Sequence, residues 1–256
     1  MSALPLKIQT PEEDEFEKKL TELLSLKIEL AQKELALSTL STQLQSFNAK
    51  YTQALGHLLL ELDQLEAQIA VIHAQRNPAD KKAQDKARQA WKRQQETEQS
   101  TDALSEEDAT REFTPSKRIK ELYREVAKLI HPDLITDEEE RNRRSELMAE
   151  ANRAYAEGDE AALEEILRLW KTRPDALQGE TISARLIRTI RQIARVRKRL
   201  EIIAEELARY RSGQLFELFS EYEKAAGEGR DFFEAMAAKL TEAIELARKV
   251  LAELTA

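Results

Sequence analysis

The chain has 256 residues, of which 34% are charged and 5% aromatic, with six glycines, six prolines and no cysteine. This composition is typical of long helices rich in Ala, Glu, Lys, Leu and Arg, and we expect an all-α protein. The lack of cysteine excludes disulfides, thiolate catalysis and cysteine-based zinc sites. The formal net charge of −8 gives no overall attraction to nucleic acid or to anionic membranes.

The beginning of the chain predicts a short tail over residues 1–10. It lacks the basic-then-apolar pattern of a signal peptide, and no apolar run in the chain reaches membrane-spanning length. We therefore expect a cytoplasmic protein without a membrane span.

A long helix is predicted over residues 11–76, with Pro11 at its first position. Apolar residues recur at alternating steps of three and four from Leu23 to Ile72, which indicates a coiled coil. A long helix packed against its own chain would give the same pattern. A second copy of the chain and residues 180–254 are therefore both open as partners of this seam.

Two further regions flank a central unit. Residues 77–112 have few apolar side chains, which predicts a polar helix that continues into a linker. Residues 172–256 return to helical periodicity, and we expect a C-terminal helical and coiled-coil region there.

The central unit, residues 113–171, opens with a helix that separates apolar from basic side chains. On a helical wheel the apolar residues fall within about 120° and the basic residues within about 80° on the opposite side. The apolar set is Ile119, Leu122, Tyr123, Val126, Leu129 and Ile130, and the basic set is Lys117, Lys120, Arg124 and Lys128, with His131 at its end. An ordinary solvated face would carry both signs of charge, so this basic stripe indicates a binding surface.

Pro132 ends this helix because it has no N–H to donate and disfavours helical geometry at the residue before it. Thr136 and the three acids after it predict an N-cap and the first turn of a second helix. The two helices should form an antiparallel hairpin. We expect its exposed tip to carry the HPD loop, which consists of His131, Pro132 and Asp133.

This unit resembles the J-domain of the DnaJ-type co-chaperones. The family has HPD between its second and third helices, a basic helix before it, and an N-x-A-Y sequence late in the third helix. Asn152, Ala154 and Tyr155 match that last element, while Met148 stands where the family usually has Phe. The family's short first helix is missing, and only Phe113 and Leu104 offer apolar substitutes.

A following helix is expected to fill the place of that missing helix. The pattern after Gly158 predicts a new helix from Asp159, and Leu163, Ile166, Leu167 or Trp170 should cover the hairpin core.

The resemblance implies a co-chaperone that docks on a DnaK-type ATPase chaperone and stimulates its ATP hydrolysis. Asp133 would pair with an arginine of the chaperone, and His131 and Pro132 would shape the loop. Lys117, Lys120, Arg124 and Lys128 would meet acidic chaperone surface. The coiled-coil regions would serve self-association, or binding of clients or partners. The alternative is a structural coiled-coil adaptor that keeps the hairpin as a packing module.

No enzymatic chemistry, cofactor or metal site is expected. His57, His73 and His131 are too scattered in sequence to form a metal site. Residues 185–199 carry seven positive charges and no acid. They suggest nucleic-acid binding as a third interpretation. We favour neutralisation of this segment by acidic partners such as residues 12–17.

Overall fold

The computed structural model describes residues 10–102, 113–172 and 181–256, and these ranges hold eight α-helices, one 3₁₀ turn and no strand. The helices are α1 (Pro11–Arg76), α2 (Lys81–Asp102), α3 (Lys117–Ile130), α4 (Glu138–Glu157), α5 (Glu160–Lys171), α6 (Ile182–Arg211), α7 (Gln214–Gly227) and α8 (Phe232–Thr255), with the turn Pro132–Leu134 between α3 and α4. The all-α prediction is confirmed. Within these ranges no helix has an apolar stretch of bilayer-spanning length.

The long first helix begins and ends where the sequence predicts. Its start is a reciprocal cap: the Glu13 N–H donates to the Thr10 hydroxyl (3.3 Å), and the Thr10 N–H donates to the Glu13 carboxylate (2.8 Å). Pro11 occupies the first helical position, where a missing N–H has no consequence.

The chain divides into two compact units, and α1 contributes to both. The first unit takes Met1–Thr42 and Phe113–Ser212, and the second takes Gln43–Glu112 and Gly213–Ala256.

In the first unit the N-terminal part of α1 packs against α6 of the same chain. The guanidinium of Arg185 lies over the ring of Phe16, and the hydroxyls of Ser41 and Tyr210 are 3.4 Å apart. The two helices therefore run parallel. Their buried core consists of Leu23, Leu30, Leu134, Ile193, Val196, Ile203 and Leu207. The leucine seam of α1 thus finds a partner within its own chain here.

The second core of the first unit lies between α3, α4 and α5, and α1 adds Ala31 to it and packs Leu35 against it. Its buried residues include Ile119, Leu122, Tyr123, Val126, Ile130, Met148, Ala151 and Tyr155, with Leu129 partly buried against them. Leu163, Ile166 and Leu167 of α5 are buried in the same core, and Trp170 packs on its edge. The prediction that α5 covers the hairpin is therefore confirmed.

Phe113, one of the two residues expected to substitute for a first helix, packs on the same core, and its ring meets the ring of Tyr155 edge-on at 5.5 Å. Leu104, the other expected substitute, lies outside the residues that the structure describes.

The N-cap of α4 differs from the prediction. Asp137, and not Thr136, accepts a hydrogen bond from the Glu140 N–H (2.9 Å), and the helix begins at Glu138. A carboxylate at this position satisfies the orphan N–H and also interacts favourably with the helix dipole, which a hydroxyl does less well. Gly158, with φ of 75°, ends α4 in the left-handed conformation that glycine adopts without strain.

The second unit combines the later part of α1 with α2, α7 and α8. Its aromatic cluster groups Phe47 with Phe219, Tyr222, Phe232 and Phe233. Helix α2 is polar as expected, and it is joined to α1 where Thr97 and Arg93 both contact the Asp63 carboxylate at 2.7 Å. The remainder of the predicted linker, residues 103–112, lies outside the described ranges.

Candidate functional site

The HPD loop forms one tight turn at the end of α3. The His131 N–H still donates to the Ala127 carbonyl, while the ψ angle of His131, 132°, takes the chain out of the helix. The Leu134 N–H then donates to the His131 carbonyl (3.0 Å), which closes the 3₁₀ turn. Pro132 opens that turn with its fixed φ, as its ring requires.

The ring of His131 is held on both sides. Its Nδ1 accepts a hydrogen bond from the Asp133 backbone N–H (3.1 Å), so the ring carries its proton on Nε2. Nε2 then donates to Oε1 of Glu34 in α1 (2.9 Å). The side chain is buried, with only 3% of the residue exposed.

Glu34 is itself held by Arg199 of α6. The Arg199 Nε donates to Oε1 (2.7 Å) and its Nη2 to Oε2 (3.2 Å), which gives a bidentate pair. Burial by itself raises the pKa of Glu34, but the hydrogen bonds from His131 and Arg199 outweigh it, and the pKa lies below its ordinary value. The carboxylate is therefore ionised at neutral pH.

Helix α6 also contacts the residues that follow the HPD loop. The Gln192 side chain donates to the Leu134 carbonyl (2.7 Å), and the Arg195 guanidinium donates to the Ile135 carbonyl. The Leu134 side chain is buried in the core between α1 and α6. We call Glu34, Gln192, Arg195 and Arg199 the loop clamp, since the first three bind the HPD loop or the two residues after it and Arg199 holds Glu34 in place.

The expectation that the tip is exposed, with His131 turned to solvent, is therefore wrong for His131. The helical wheel places His131 opposite the core of its own hairpin, as predicted. Helices α1 and α6 cover the C-terminal end of α3, and α1 supplies the carboxylate that a buried imidazole N–H needs.

The other predicted site residues keep contact with solvent. Lys117 and Lys128 are exposed, and Lys120, Arg124, Pro132 and Asp133 are half-buried. The Arg124 Nε donates to the Lys120 carbonyl one turn earlier (3.2 Å), which leaves the rest of its guanidinium for other contacts. Apart from His131, the predicted surface is thus accessible.

The two helices of the hairpin that carries this surface are joined by a partly buried hydrogen bond. The Tyr123 hydroxyl donates to Oδ1 of Asn152 (2.6 Å), and its ring lies 4.8 Å from that of Tyr155. Burial, and next the negative charge of Glu34, raise the pKa of Tyr123, so the phenol stays protonated. Asn152 and Tyr155, the N and Y of the N-x-A-Y match, therefore connect α4 to α3 and to the core between them.

The arginine-rich segment of α6 faces α1. Arg197 pairs with Glu22 (2.6 Å), and Arg199 pairs with Glu34. Glu22 and Glu34 of α1 therefore neutralise part of this segment, as in the interpretation that we favoured over nucleic-acid binding, but both lie beyond residues 12–17, the acidic stretch suggested by the sequence. Sequence reasoning missed the role of Glu34.

Within the part of the chain that the structure describes, no group of three or more His, Asp or Glu side chains is arranged to hold a metal ion. Comparisons of the chain with known protein families, with curated proteins and with solved structures found no match.

Proposed function

We propose that this protein is a J-domain-type co-chaperone that docks on a DnaK-type ATPase chaperone and stimulates its ATP hydrolysis. The docking surface is the basic stripe together with the HPD loop. A cytoplasmic location is part of the proposal, and the helices outside residues 113–171 provide surface for clients, partners or a second copy.

The proposal depends mainly on one observation: the Asp133 carboxylate is partly exposed and is not the cap of the next helix. Its side chain is 30% exposed, and Oδ2 lies 3.8 Å from His131 Nδ1, which already accepts the Asp133 N–H and has no proton to give. The capping role at the next helix belongs to Asp137. The backbone of Asp133 thus holds the turn. Its carboxylate attracts Arg199 within the chain and, being partly exposed, can also meet a cation of a partner.

The basic stripe supports the same proposal through its position. It runs along one side of α3 and ends at the HPD loop, so a partner that reaches Asp133 also meets the stripe. Exposed charges of this kind increase the rate of encounter and make it dependent on salt, while adding little to the lifetime of the complex.

Binding to the ATP-bound chaperone tests the proposal. Asp133→Asn should weaken binding at least about tenfold, as expected for loss of one charge-assisted contact. Its melting curve should match that of the wild type. Lys120→Glu with Arg124→Glu should lower the association rate and its salt dependence. Lys86→Glu with Arg88→Glu in α2 makes the same change of net charge at exposed positions and should bind as the wild type does. Equal effects of the two double variants would contradict a docking role for the stripe.

A structural adaptor is the second candidate function, and the burial of His131 against Glu34 favours it. In that case the hairpin packs on α1 and α6 for stability alone, and Asp133→Asn changes no binding to a chaperone. The binding series therefore separates the two candidates.

A further inference from the structure

We infer that the loop clamp is an autoinhibitory contact, and that the HPD loop must leave Glu34 and α6 before the chaperone docks. This inference rests on the proposed function, since it concerns regulation of the same site. On this inference, α1 and α6 control whether the docking surface in residues 113–171 is accessible to the chaperone.

Access to the loop is the first reason. Both ring nitrogens of His131 are used within the chain, and the ring has almost no exposed surface. The carbonyls of Leu134 and Ile135 are taken by Gln192 and Arg195. A partner that grips the whole loop therefore has to displace contacts from two helices.

The chemistry of the contact is the second reason. A buried carboxylate and the hydrogen bonds made to it give little net stability compared with apolar side chains of the same volume, because the charge loses its hydration. Here a histidine, a carboxylate and a guanidinium meet where α1, α6 and the loop converge. Such polar contacts can separate and rehydrate at modest cost, whereas the Leu134 side chain has to leave the apolar core between α1 and α6, which favours the closed state.

The location of the four residues is the third reason. Glu34 lies 97 positions before His131, and Gln192 and Arg195 lie 58 and 60 positions after the carbonyls that they bind. None of the four side chains belongs to the J-like core between α3, α4 and α5, although α1 adds Ala31 to that core three positions before Glu34. Opening the clamp therefore changes presentation of the loop and leaves the hairpin that carries it intact.

The size of the effect follows from the fraction of molecules in the open state. The apparent dissociation constant equals the intrinsic constant divided by that fraction. Loss of one or two hydrogen bonds to charged groups shifts such an equilibrium by about tenfold to a hundredfold. Clamp variants should therefore bind the chaperone about ten to a hundred times more tightly than the wild type does.

The first measurement needs no chaperone. Diethylpyrocarbonate modifies accessible histidines, and the chain has three, of which His57 and His73 are exposed and serve as internal standards. Mass spectrometry of peptides should show His131 reacting at least about tenfold more slowly than the standards in the wild type. Gln192→Ala with Arg195→Ala should raise the rate at His131 alone.

Two further variants make this measurement specific. Glu34→Ala removes the acceptor of His131 and should also expose the ring. Arg197→Ala breaks a contact between the same two helices, α1 and α6, but does not touch the loop, so it should leave His131 protected. If His131 of the wild type reacts as fast as His57, the clamp is not closed in solution and the inference fails.

The second measurement is the concentration of each variant that half-saturates stimulation of the chaperone ATPase. The inference predicts a value about ten to a hundred times lower for the Gln192/Arg195 double variant than for the wild type and Arg197→Ala. If the wild type and the double variant stimulate equally while His131 differs in reactivity, the proposed function stands and the autoinhibition is wrong. If stimulation falls in the double variant, the clamp prepares the loop for docking and the inference is likewise overturned.

A third outcome would contradict the proposed function itself. If His131 becomes reactive in the double variant but no variant binds or stimulates the chaperone, the co-chaperone function fails. Autoinhibition then fails with it, although the measured clamp opening remains.

Discussion

Replacement of Glu34 by alanine should destabilise the first unit by about 3 kcal/mol. The variant leaves the His131 N–H without its acceptor, so the ring either keeps an unsatisfied donor in the buried site or leaves the loop clamp for water, and the loss is about 1–3 kcal/mol. Arg199 loses its bidentate partner, but a quarter of its side chain is exposed and Glu206 lies 3.6 Å away. We therefore assign only about 1 kcal/mol to the loss at Arg199. The sum of the two losses is about 3 kcal/mol, near the lower end of the roughly 3–5 kcal/mol that breaking a buried ion pair costs.

Urea denaturation followed by the fluorescence of Trp170 measures the loss of stability in the first compact unit, to which Glu34 belongs. The chain has two tryptophans, and Trp91 lies in the second unit with 55% of its surface exposed. In a Trp91→Phe background, the signal comes from Trp170 at the edge of the J-like core. The urea midpoint should fall with little change in the slope m.

Glu22→Ala is the matched control for this experiment. Glu22 also lies on α1 and pairs with an arginine of α6, but at the surface, where ion pairs contribute little. It should leave the midpoint unchanged. A loss below about 1 kcal/mol for Glu34→Ala, or equal midpoints for the two variants, would mean that the buried network does not form as described.

Three further results are expected. The pKa of Glu34 is held below its ordinary value of 4.5 in the folded chain, so its contribution is present above that pH and is lost as the pH falls through the folded-state pKa. Urea midpoints from about pH 6 to about pH 3 should thus fall more in the wild type than in Glu34→Gln, and parallel curves would contradict the shift. Trp170→Ala should destabilise the J-like core by about 2–3 kcal/mol by circular dichroism. Leu169→Ala, at an exposed neighbour, should change little, and equal losses would show that Trp170 does not cover the core. Tyr123→Phe removes one hydrogen bond to Asn152 and should cost about 1 kcal/mol in the same assay. No loss there would indicate that water satisfies Asn152 equally well.

The helices and the hairpin could be predicted from the sequence because their signals are local. In α1, apolar residues recur at steps of three and four, and in α3 they form an arc from Ile119 to Ile130. Each pattern indicates which face of one helix is buried. Pro11, Pro132 and Gly158 mark helix boundaries through backbone geometry that does not depend on the tertiary structure. The cap at Asp137 was missed by one residue because Thr and Asp are both good capping residues and stand side by side.

The environment of His131 could not be predicted in the same way. A helical wheel gives the direction of a side chain relative to its own helix, and it does not show whether a second layer covers that side. The carboxylate that binds His131 is 97 positions away, in a helix with many glutamates. Ala127 was the available signal: it adjoins the basic stripe on the wheel, and its small side chain permits the close approach that leaves it fully buried.

Single-turnover ATP hydrolysis by a DnaK-type chaperone, from the organism that encodes this chain, tests the central claim most directly. The Gln192/Arg195 double variant, in which the loop is open, should accelerate hydrolysis in proportion to its occupancy of the chaperone. The same double variant with Asp133→Asn should leave the rate at its basal value while folding equally well. Acceleration that survives the loss of the Asp133 charge, or no acceleration by the open variant at any concentration, would contradict a J-domain-type function.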